Sequence, residues 1–78
     1  KLYIGGSCPY CHKVLNFMRQ HGIDIPVKDV WKDDEAMANL LKLTGKRQVP
    51  CLEVDGQGML ESDDIIRKLK LIYQIKTS

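Results

Sequence analysis

Strand patterns and helix patterns alternate along this 78-residue chain, and glycine or proline separates most of them. Residues 1–4 form a short strand pattern, and the glycines within residues 5–7 lead from it into a helix predicted over residues 9–21. Residues 23–30 then begin with apolar side chains at every second position, which is typical of a strand. Pro26 lies within this run, so we expect an edge strand, because proline cannot donate a hydrogen bond to a neighbouring strand.

The middle of the chain continues the alternation with a helix and a hairpin. Asp33 or Asp34 is expected to cap a helix whose apolar residues recur every three or four positions, and Gly45 is expected to end it. Residues 51–54 and 58–60 form two strand patterns joined by an Asp-Gly turn pair. We therefore expect these two strands to be antiparallel.

A last helix pattern begins at Ser62, with its acidic residues at the start and its basic residues towards the end. Acidic residues occupy its first turn and basic residues, including Lys76, follow, which suits the helix dipole. Leu71 and Ile75 fall outside its main apolar face. The residues expected on that face are Ile65, Ile66, Leu69, Ile72 and Tyr73. The predicted order of elements is thus β-α-β-α-β-β-α.

Composition is that of one soluble globular domain spanning residues 1–78. Apolar residues make up 44% of the chain and charged residues 28%. This is too apolar for a disordered segment, and no apolar run approaches the roughly 20 residues of a membrane span. The formal net charge is +2, well short of the basic surface of a nucleic-acid-binding protein. We expect neither a membrane nor a nucleic-acid partner, and we expect a cytoplasmic monomer.

Two cysteines carry the chemical information in this sequence. Cys8 and Cys11 are separated by Pro-Tyr and lie where the first strand gives way to the first helix. Unpaired N–H groups and the helix dipole stabilise a thiolate at a helix N-terminus and lower its pKa, so Cys8 is the predicted nucleophile. Cys11 lies one turn further on, on the apolar side. We expect it to be more buried, yet close enough to attack a mixed disulfide formed on Cys8.

Other interpretations of the cysteine pair stay open at this point. The two residues could be chemically inert, or they could bind structural zinc together with His12, His21 or Cys51, although these do not form a second close pair. Cys8 to His12 also matches the C-x-x-C-H pattern of c-type haem attachment. Haem attachment requires export and a core built around the cofactor, which the alternation of strands and helices does not favour. We expect no metal site.

Three motifs occur in a fixed order along the chain. They are Cys8-Pro9-Tyr10-Cys11 after the first strand, Gln48-Val49-Pro50 before the third, and Ser62-Asp63-Asp64 at the start of the last helix. Together they make the sequence resemble the glutaredoxins, over essentially its whole length. The resemblance implies an α/β, thioredoxin-like fold, with a four-stranded mixed sheet of order 2-1-3-4 flanked by three helices. It also implies a cis Pro50 beside Cys8, which turns the Val49 backbone outward to pair with a substrate.

The resemblance further implies where glutathione binds. This tripeptide has two carboxylates and one ammonium group, which suit a helix N-terminus, a cation and a carboxylate. The implied contacts are Val49 for the cysteinyl backbone, Ser62 and Asp63 for the γ-glutamyl end, Lys46 or Arg47 for the glycine carboxylate, and Tyr10 and Pro50 for the groove beside Cys8.

The sequence departs from the glutaredoxin pattern in three places. Gly5-Gly6-Ser7 stands where many members carry a Lys before the first cysteine, Gln48 replaces a commoner Thr, and Leu60-Glu61 replaces a typical Gly-Gly pair. The stretch over residues 49–62 also resembles the N-terminal domain of glutathione transferases, but a complete transferase needs a helical second domain. Cys51 is expected to be a small core residue.

The function implied by the resemblance is a glutathione-dependent thiol–disulfide oxidoreductase acting through Cys8 and Cys11. Its expected substrates are protein disulfides and protein–glutathione mixed disulfides, with glutathione as reductant and no tightly bound cofactor. Such a protein takes part in electron transfer and cell redox homeostasis. Two alternatives stay open: a glutathione-independent redoxin reduced by a flavin reductase, and a carrier that holds an iron–sulfur cluster with glutathione between two subunits.

Overall fold

The computed structural model describes residues 1–6 and 8–73. Within this part of the chain the elements follow the predicted order. No helix in the same residues is long and apolar enough to cross a membrane. The strands are β1 (Leu2–Ile4), β2 (Val27–Asp29), β3 (Cys51–Val54) and β4 (Gln57–Met59), and the helices are α1 (Pro9–Gln20), α2 (Asp34–Thr44) and α3 (Ser62–Ile72).

The strands form one mixed sheet in the order β2-β1-β3-β4. β1 and β2 are parallel, with Leu2 opposite Val27, and a parallel pair needs a crossover, which α1 supplies. β3 is antiparallel to both β1 and β4. The predicted α/β, thioredoxin-like sheet of order 2-1-3-4 with three helices is confirmed.

The two central strands create a core on each face of the sheet, because successive residues of a strand point to opposite sides. Leu2 and Leu52, which lie opposite each other in β1 and β3, pack with apolar residues of α1 and α3. Tyr3 and Cys51, the next pair, pack with α2, including Leu40. Helices α1 and α3 therefore cover one face and α2 covers the other. Cys51 is fully buried, as expected for a small core residue.

The ends of α1 and α2 follow local sequence signals. The Asp33 carboxylate accepts hydrogen bonds from two backbone N–H groups at the start of α2, at 3.1 and 3.2 Å. Gly45 ends α2 in the left-handed conformation, with φ 72°. Pro9 is the first residue of α1, Cys8 is its N-cap, and the first turn contains no acidic residue. The partial positive charge at the N-terminus of α1 therefore has no acidic side chain of the first turn beside it and can act on the Cys8 sulfur.

Two expectations are wrong, one about the length of a strand and one about the burial of the apolar face of α3. The strand predicted over residues 23–30 covers only Val27–Asp29, because β1 has three residues and offers no partner to the earlier ones. The edge position is right, and Pro26 precedes the strand. On α3, Ile72 and Tyr73 are 48% and 43% exposed. A helix of 11 residues is longer than strands of three or four, so its last turn extends past the sheet.

Three residues named in the sequence analysis cannot be compared with the structure. Ser7, Ile75 and Lys76 lie outside the described residues. Leu71, which was expected to lie off the main face of α3, is 70% exposed.

Candidate functional site

Cys8 lies between the end of β1 and the start of α1. Its backbone N–H donates to the Gly5 carbonyl at 3.2 Å, and its own carbonyl accepts the N–H of His12 at 3.1 Å, the first bond of the helix. Its side chain is half-buried, and its sulfur lies 3.9 Å from the carbonyl oxygen of Val49. The Val49–Pro50 peptide bond is cis. The Cys8 sulfur thus lies beside the segment that precedes β3.

The surroundings of Cys8 favour its thiolate. Partial burial opposes ionisation, but hydrogen bonds from the N–H and thiol of Cys11 and from the N–H of Tyr10 outweigh it, so the pKa of Cys8 lies below the usual value for a thiol. These N–H groups belong to the first turn of α1, where the helix itself offers them no acceptor. A thiolate at this position therefore gains hydrogen bonds that a thiol cannot use fully.

Cys11 has the opposite environment. It is 1% exposed, and burial raises the pKa of its thiol to about 11, although the Gly5 N–H donates to its sulfur at 3.4 Å. Both cysteines are free, as is Cys51, which lies across the sheet against α2. The pair therefore consists of an accessible sulfur whose pKa is lowered and a buried sulfur whose pKa is raised.

A cavity of about 320 Å³ opens next to the cysteine pair, between the first turns of α1 and α3. It borders Cys8 through Val49, whose carbonyl contacts the Cys8 sulfur, and through the neighbouring Tyr10. Five of the seven residues expected to bind glutathione line this cavity, namely Tyr10, Val49, Pro50, Ser62 and Asp63. The fold therefore gathers residues from three separate motifs around one space.

Lys46 and Arg47 are the two expected residues that do not line the cavity. Both are exposed in the loop between α2 and β3. The N–H of Lys46 donates to the hydroxyl of Thr44 at 3.1 Å, which holds the start of this loop against the end of α2. The loop reaches the cavity wall one residue later, at Gln48.

Lys13 lines the cavity and was not predicted as a site residue. Its Nζ lies 2.5 Å from Oδ1 of Asp63, which forms an ion pair between α1 and α3. The hydrogen bond from Lys13 lowers the pKa of the Asp63 carboxyl below its usual value. The sequence spacing could have predicted Lys13 as a site residue, because Lys13 follows Tyr10 by three residues and therefore lies on the same face of the helix.

The start of α3 forms the far wall of the cavity. Glu61 is its N-cap and makes no side-chain hydrogen bond to the helix, while Ser62 is the first helical residue and is largely buried. Both line the cavity, together with Leu60. In the sequence, Leu60-Glu61 stands out only as a departure from a family pattern. First-turn N–H groups of α3 thus adjoin the cavity, where they can bind an anion.

Gly5 connects the cysteines to a neighbouring aromatic residue. A Cβ on Gly5 would overlap the indole of Trp31 and would lie 3.1 Å from Cγ2 of Val49. No side chain fits at this position, which gives a steric reason for glycine here.

The described residues contain no group of three or more His, Cys, Asp or Glu side chains placed to hold a metal ion. Within residues 1–6 and 8–73, His12, His21 and Cys51 therefore do not complete a zinc site with Cys8 and Cys11.

Comparison with known proteins agrees with this geometry. The "Probable glutaredoxin" of Synechocystis sp. is 29% identical over 66 residues, which cover 83% of this chain and 75% of that protein. An "Uncharacterized glutaredoxin-like 8.6 kDa protein in rubredoxin operon" of Clostridium pasteurianum is 32% identical over 76 residues, or 87% of this chain and 97% of that protein. The Glutaredoxin family model matches residues 1–59, including the Cys8–Cys11 pair. This chain therefore belongs to the glutaredoxin family.

Proposed function

We propose that this protein reduces protein disulfides and protein–glutathione mixed disulfides with electrons from glutathione, using Cys8 and Cys11. It is a glutaredoxin-like thiol–disulfide redox protein, from a family whose members are generally thiol–disulfide oxidoreductases. The dependence on glutathione is the proposal. The observation that carries it is the position of Cys8, an accessible thiol of lowered pKa at the N-cap of α1, beside a cavity that ends at Asp63.

The first step is nucleophilic attack by the Cys8 thiolate. On a protein–glutathione mixed disulfide it attacks the glutathione sulfur. A disulfide forms between Cys8 and glutathione, the original S–S bond breaks, and the protein leaves as a thiolate that takes a proton from water. A second glutathione thiolate then attacks the bound glutathione sulfur. Glutathione disulfide leaves, and Cys8 returns to its thiolate form.

A protein disulfide follows a route that also uses Cys11. Attack by Cys8 leaves a mixed disulfide with the protein, and Cys11, after losing its proton, attacks the Cys8 sulfur and releases the second protein thiol. Burial is the main cause of the raised pKa of Cys11, and the charge of the Cys8 thiolate adds to it. The mixed disulfide removes that charge, which makes Cys11 easier to ionise at the moment it is needed. Two glutathione molecules then reduce the Cys8–Cys11 disulfide.

Two groups at the cavity support glutathione binding, namely the N-terminus of α3 and the carboxylate of Asp63. We place the γ-glutamyl carboxylate at the N-terminus of α3, near Ser62, and the ammonium group on Asp63. Lys13 holds Asp63 in the free protein. A bound ammonium group takes the place of Lys13, which becomes free to pair with a ligand carboxylate. Lys46 and Arg47, on the loop leading to the cavity wall, remain candidates for the glycine carboxylate.

A glutathione-independent redoxin is the second candidate, and two observations favour it. Among the cavity residues Glu61 and Asp63 carry negative charge and only Lys13 carries positive charge, whereas glutathione has a net negative charge. The family match also ends at residue 59, before α3.

A comparison of two reductants tests the proposal. One reaction contains NADPH, glutathione and glutathione reductase, and the other contains NADPH and thioredoxin reductase, with bis(2-hydroxyethyl) disulfide as the common substrate. We expect turnover that saturates with glutathione and little turnover with thioredoxin reductase. Turnover with thioredoxin reductase alone would contradict the proposal and would favour the glutathione-independent redoxin.

A further inference from the structure

Trp31 lies near the cysteine pair because β1 and β2 are neighbouring parallel strands. The carboxyl ends of parallel strands meet at one edge of a sheet, so the residues that follow β1 and β2 come together there. Ile4 lies opposite Asp29 at this edge. Gly5 follows the first and Trp31 lies two residues beyond the second. Trp31 is the one tryptophan of the sequence.

The contact between Trp31 and Gly5 is close. A Cβ on Gly5 would overlap the Nε1–Cδ1 edge of the indole. The Gly5 N–H donates to the Cys11 sulfur and the Gly5 carbonyl accepts the Cys8 N–H. A single backbone residue therefore separates the indole from both cysteines.

The backbone that carries the indole is held in a turn, and the side chain is accessible. The Trp31 N–H donates to Oδ1 of Asp29 at 2.9 Å, and the N–H groups of Lys32 and Asp33 close the turn by donating to the Asp29 carbonyl at 3.2 and 3.0 Å. Even so, 61% of Trp31 is exposed. A large aromatic side chain in a fixed backbone turn can bury apolar area against a partner with little loss of its own freedom.

Trp31 and the cavity are two different neighbours of the reacting sulfur. Val49 borders both, because it lines the cavity and its Cγ2 approaches Gly5, but Trp31 does not line the cavity. The cavity contains the charged groups of Lys13, Glu61 and Asp63, whereas Trp31 offers an apolar ring. A mixed disulfide also has two unlike halves, a charged glutathione and a polypeptide. When glutathione fills the cavity, the polypeptide must lie on another side of Cys8, and Trp31 is the neighbour available there.

We propose that Trp31 binds the polypeptide half of the substrate and selects cysteines that have an apolar residue next to them in the sequence. This inference rests on the proposed function, since it takes Cys8 as the attacking group. The substrate class is therefore a glutathionylated cysteine in an exposed segment, with an aliphatic or aromatic residue beside it in the sequence. The chemical step is the one already described, in which the polypeptide is the leaving thiolate.

The test uses two glutathionylated peptides of equal length and charge that differ only in the two residues beside cysteine, which are Leu in one peptide and Ser in the other. Rates with saturating glutathione give kcat/KM for the full chain and three variants. We expect the wild-type protein to prefer the Leu peptide by about three- to tenfold. Trp31→Ala should lose this preference and Trp31→Phe should keep most of it. Tyr73→Ala, an exposed aromatic at the far end of α3, should leave the preference unchanged.

A second measurement separates binding from support of the fold. A Cys11→Ser variant is joined to each peptide by reaction of Cys8 with the 2-pyridyl disulfide of the peptide, which releases pyridine-2-thiol and leaves a disulfide between Cys8 and the peptide cysteine. Without the Cys11 thiol this mixed disulfide persists, and the emission of Trp31 should shift to shorter wavelength with the Leu peptide more than with the Ser peptide. A wild-type protein with no preference, or a Trp31→Ala variant that slows both peptides and bis(2-hydroxyethyl) disulfide equally, would overturn the inference. If the wild-type protein does not reduce bis(2-hydroxyethyl) disulfide with glutathione at all, the proposed function fails instead.

Discussion

Helices α1 and α3 both begin at the candidate site, and their first turns differ in charge. The first turn of α1 contains no acidic residue and has Cys8 at its N-cap, whereas the first turn of α3 contains Asp63 and Asp64. In α1 the unpaired N–H groups donate hydrogen bonds to the Cys8 sulfur, and these bonds lower the pKa of Cys8. In α3 the carboxylate of Asp63 faces outward and holds a cation, Lys13. The same backbone feature thus stabilises a nucleophile in one helix and adjoins a binding cavity in the other.

The largest expected effect comes from removing the thiol at the start of α1. Cys8→Ser should abolish disulfide exchange, because a hydroxyl at this position stays protonated at neutral pH and cannot form a disulfide. Cys11→Ser should retain glutathione-dependent reduction of a glutathionylated peptide, since that route uses Cys8 alone. Turnover of the same peptide by both variants checks this difference. Equal loss of activity in the two variants would contradict the assignment of roles.

The next effect concerns the acidic residues of α3. Asp63→Ala should lower kcat/KM for glutathione by roughly tenfold or more, because hydrogen bonds between charged groups are among the stronger ones. The matched control is Asp64→Ala, which changes the same turn but lies 3.7 Å from Arg67 and does not line the cavity beside Cys8. Alkylation of Cys8 by iodoacetamide should be the same in both variants. If Asp63→Ala leaves glutathione turnover intact, the glutathione site is not at α3.

A smaller effect is expected from the partner of Asp63. Lys13→Met should lower kcat/KM for glutathione by about two- to fivefold. The effect is small because exposed ion pairs contribute little free energy, and because Lys13 pairs with a ligand carboxylate only after the ligand ammonium group has displaced it from Asp63. Lys42→Met removes a charge from a different cavity, which includes Lys1, and should have no effect. Faster turnover in Lys13→Met would mean that Lys13 blocks Asp63 rather than assisting the ligand.

An effect of similar size is expected from making α1 resemble α3. His12→Glu adds a negative charge close to the start of α1 and should raise the pKa of Cys8, because a nearby carboxylate opposes a thiolate. At pH 6 the alkylation of Cys8 should slow by about two- to fivefold. His12→Gln keeps a side chain of similar length without the charge and serves as the control. Equal rates in the two variants would argue against an electrostatic origin of the Cys8 reactivity.

Local sequence signals predicted the order of the strands and helices, because periodicity and capping residues act within a few positions of the chain, whereas the order of the strands in the sheet came from the family resemblance. Asp33 and Gly45 mark the ends of α2 correctly, and helical spacing gives the burial of Cys11. The predicted length of β2 was wrong, because the length of a strand depends on the partner strand with which it pairs, and no local pattern describes that partner. The residues expected to bind glutathione came from a family resemblance, and their assignment stays a prediction.

The contacts missed from the sequence join distant parts of the chain. Lys13 and Asp63 are 50 residues apart and meet only because α1 and α3 pack on the same face of the sheet. Trp31 meets Gly5 because β1 and β2 are parallel neighbours. The sheet order was predicted, so the second contact could have been inferred from it. The first needed the relative placement of two helices, which sequence spacing does not give.

The central claim is that the N-terminus of α1 makes Cys8 the reactive thiolate of the pair, and site-resolved alkylation tests it most directly. The reduced protein is treated with iodoacetamide over a range of pH, and mass spectrometry of its peptides gives the rate at each cysteine. We predict that Cys8 reacts with a midpoint below the roughly 8.5 of a free thiol. Cys11 and Cys51, whose pKa values burial raises, should stay unlabelled over the same range. A Cys8 midpoint at the free-thiol value, or equal labelling of Cys8 and Cys11, would contradict the account.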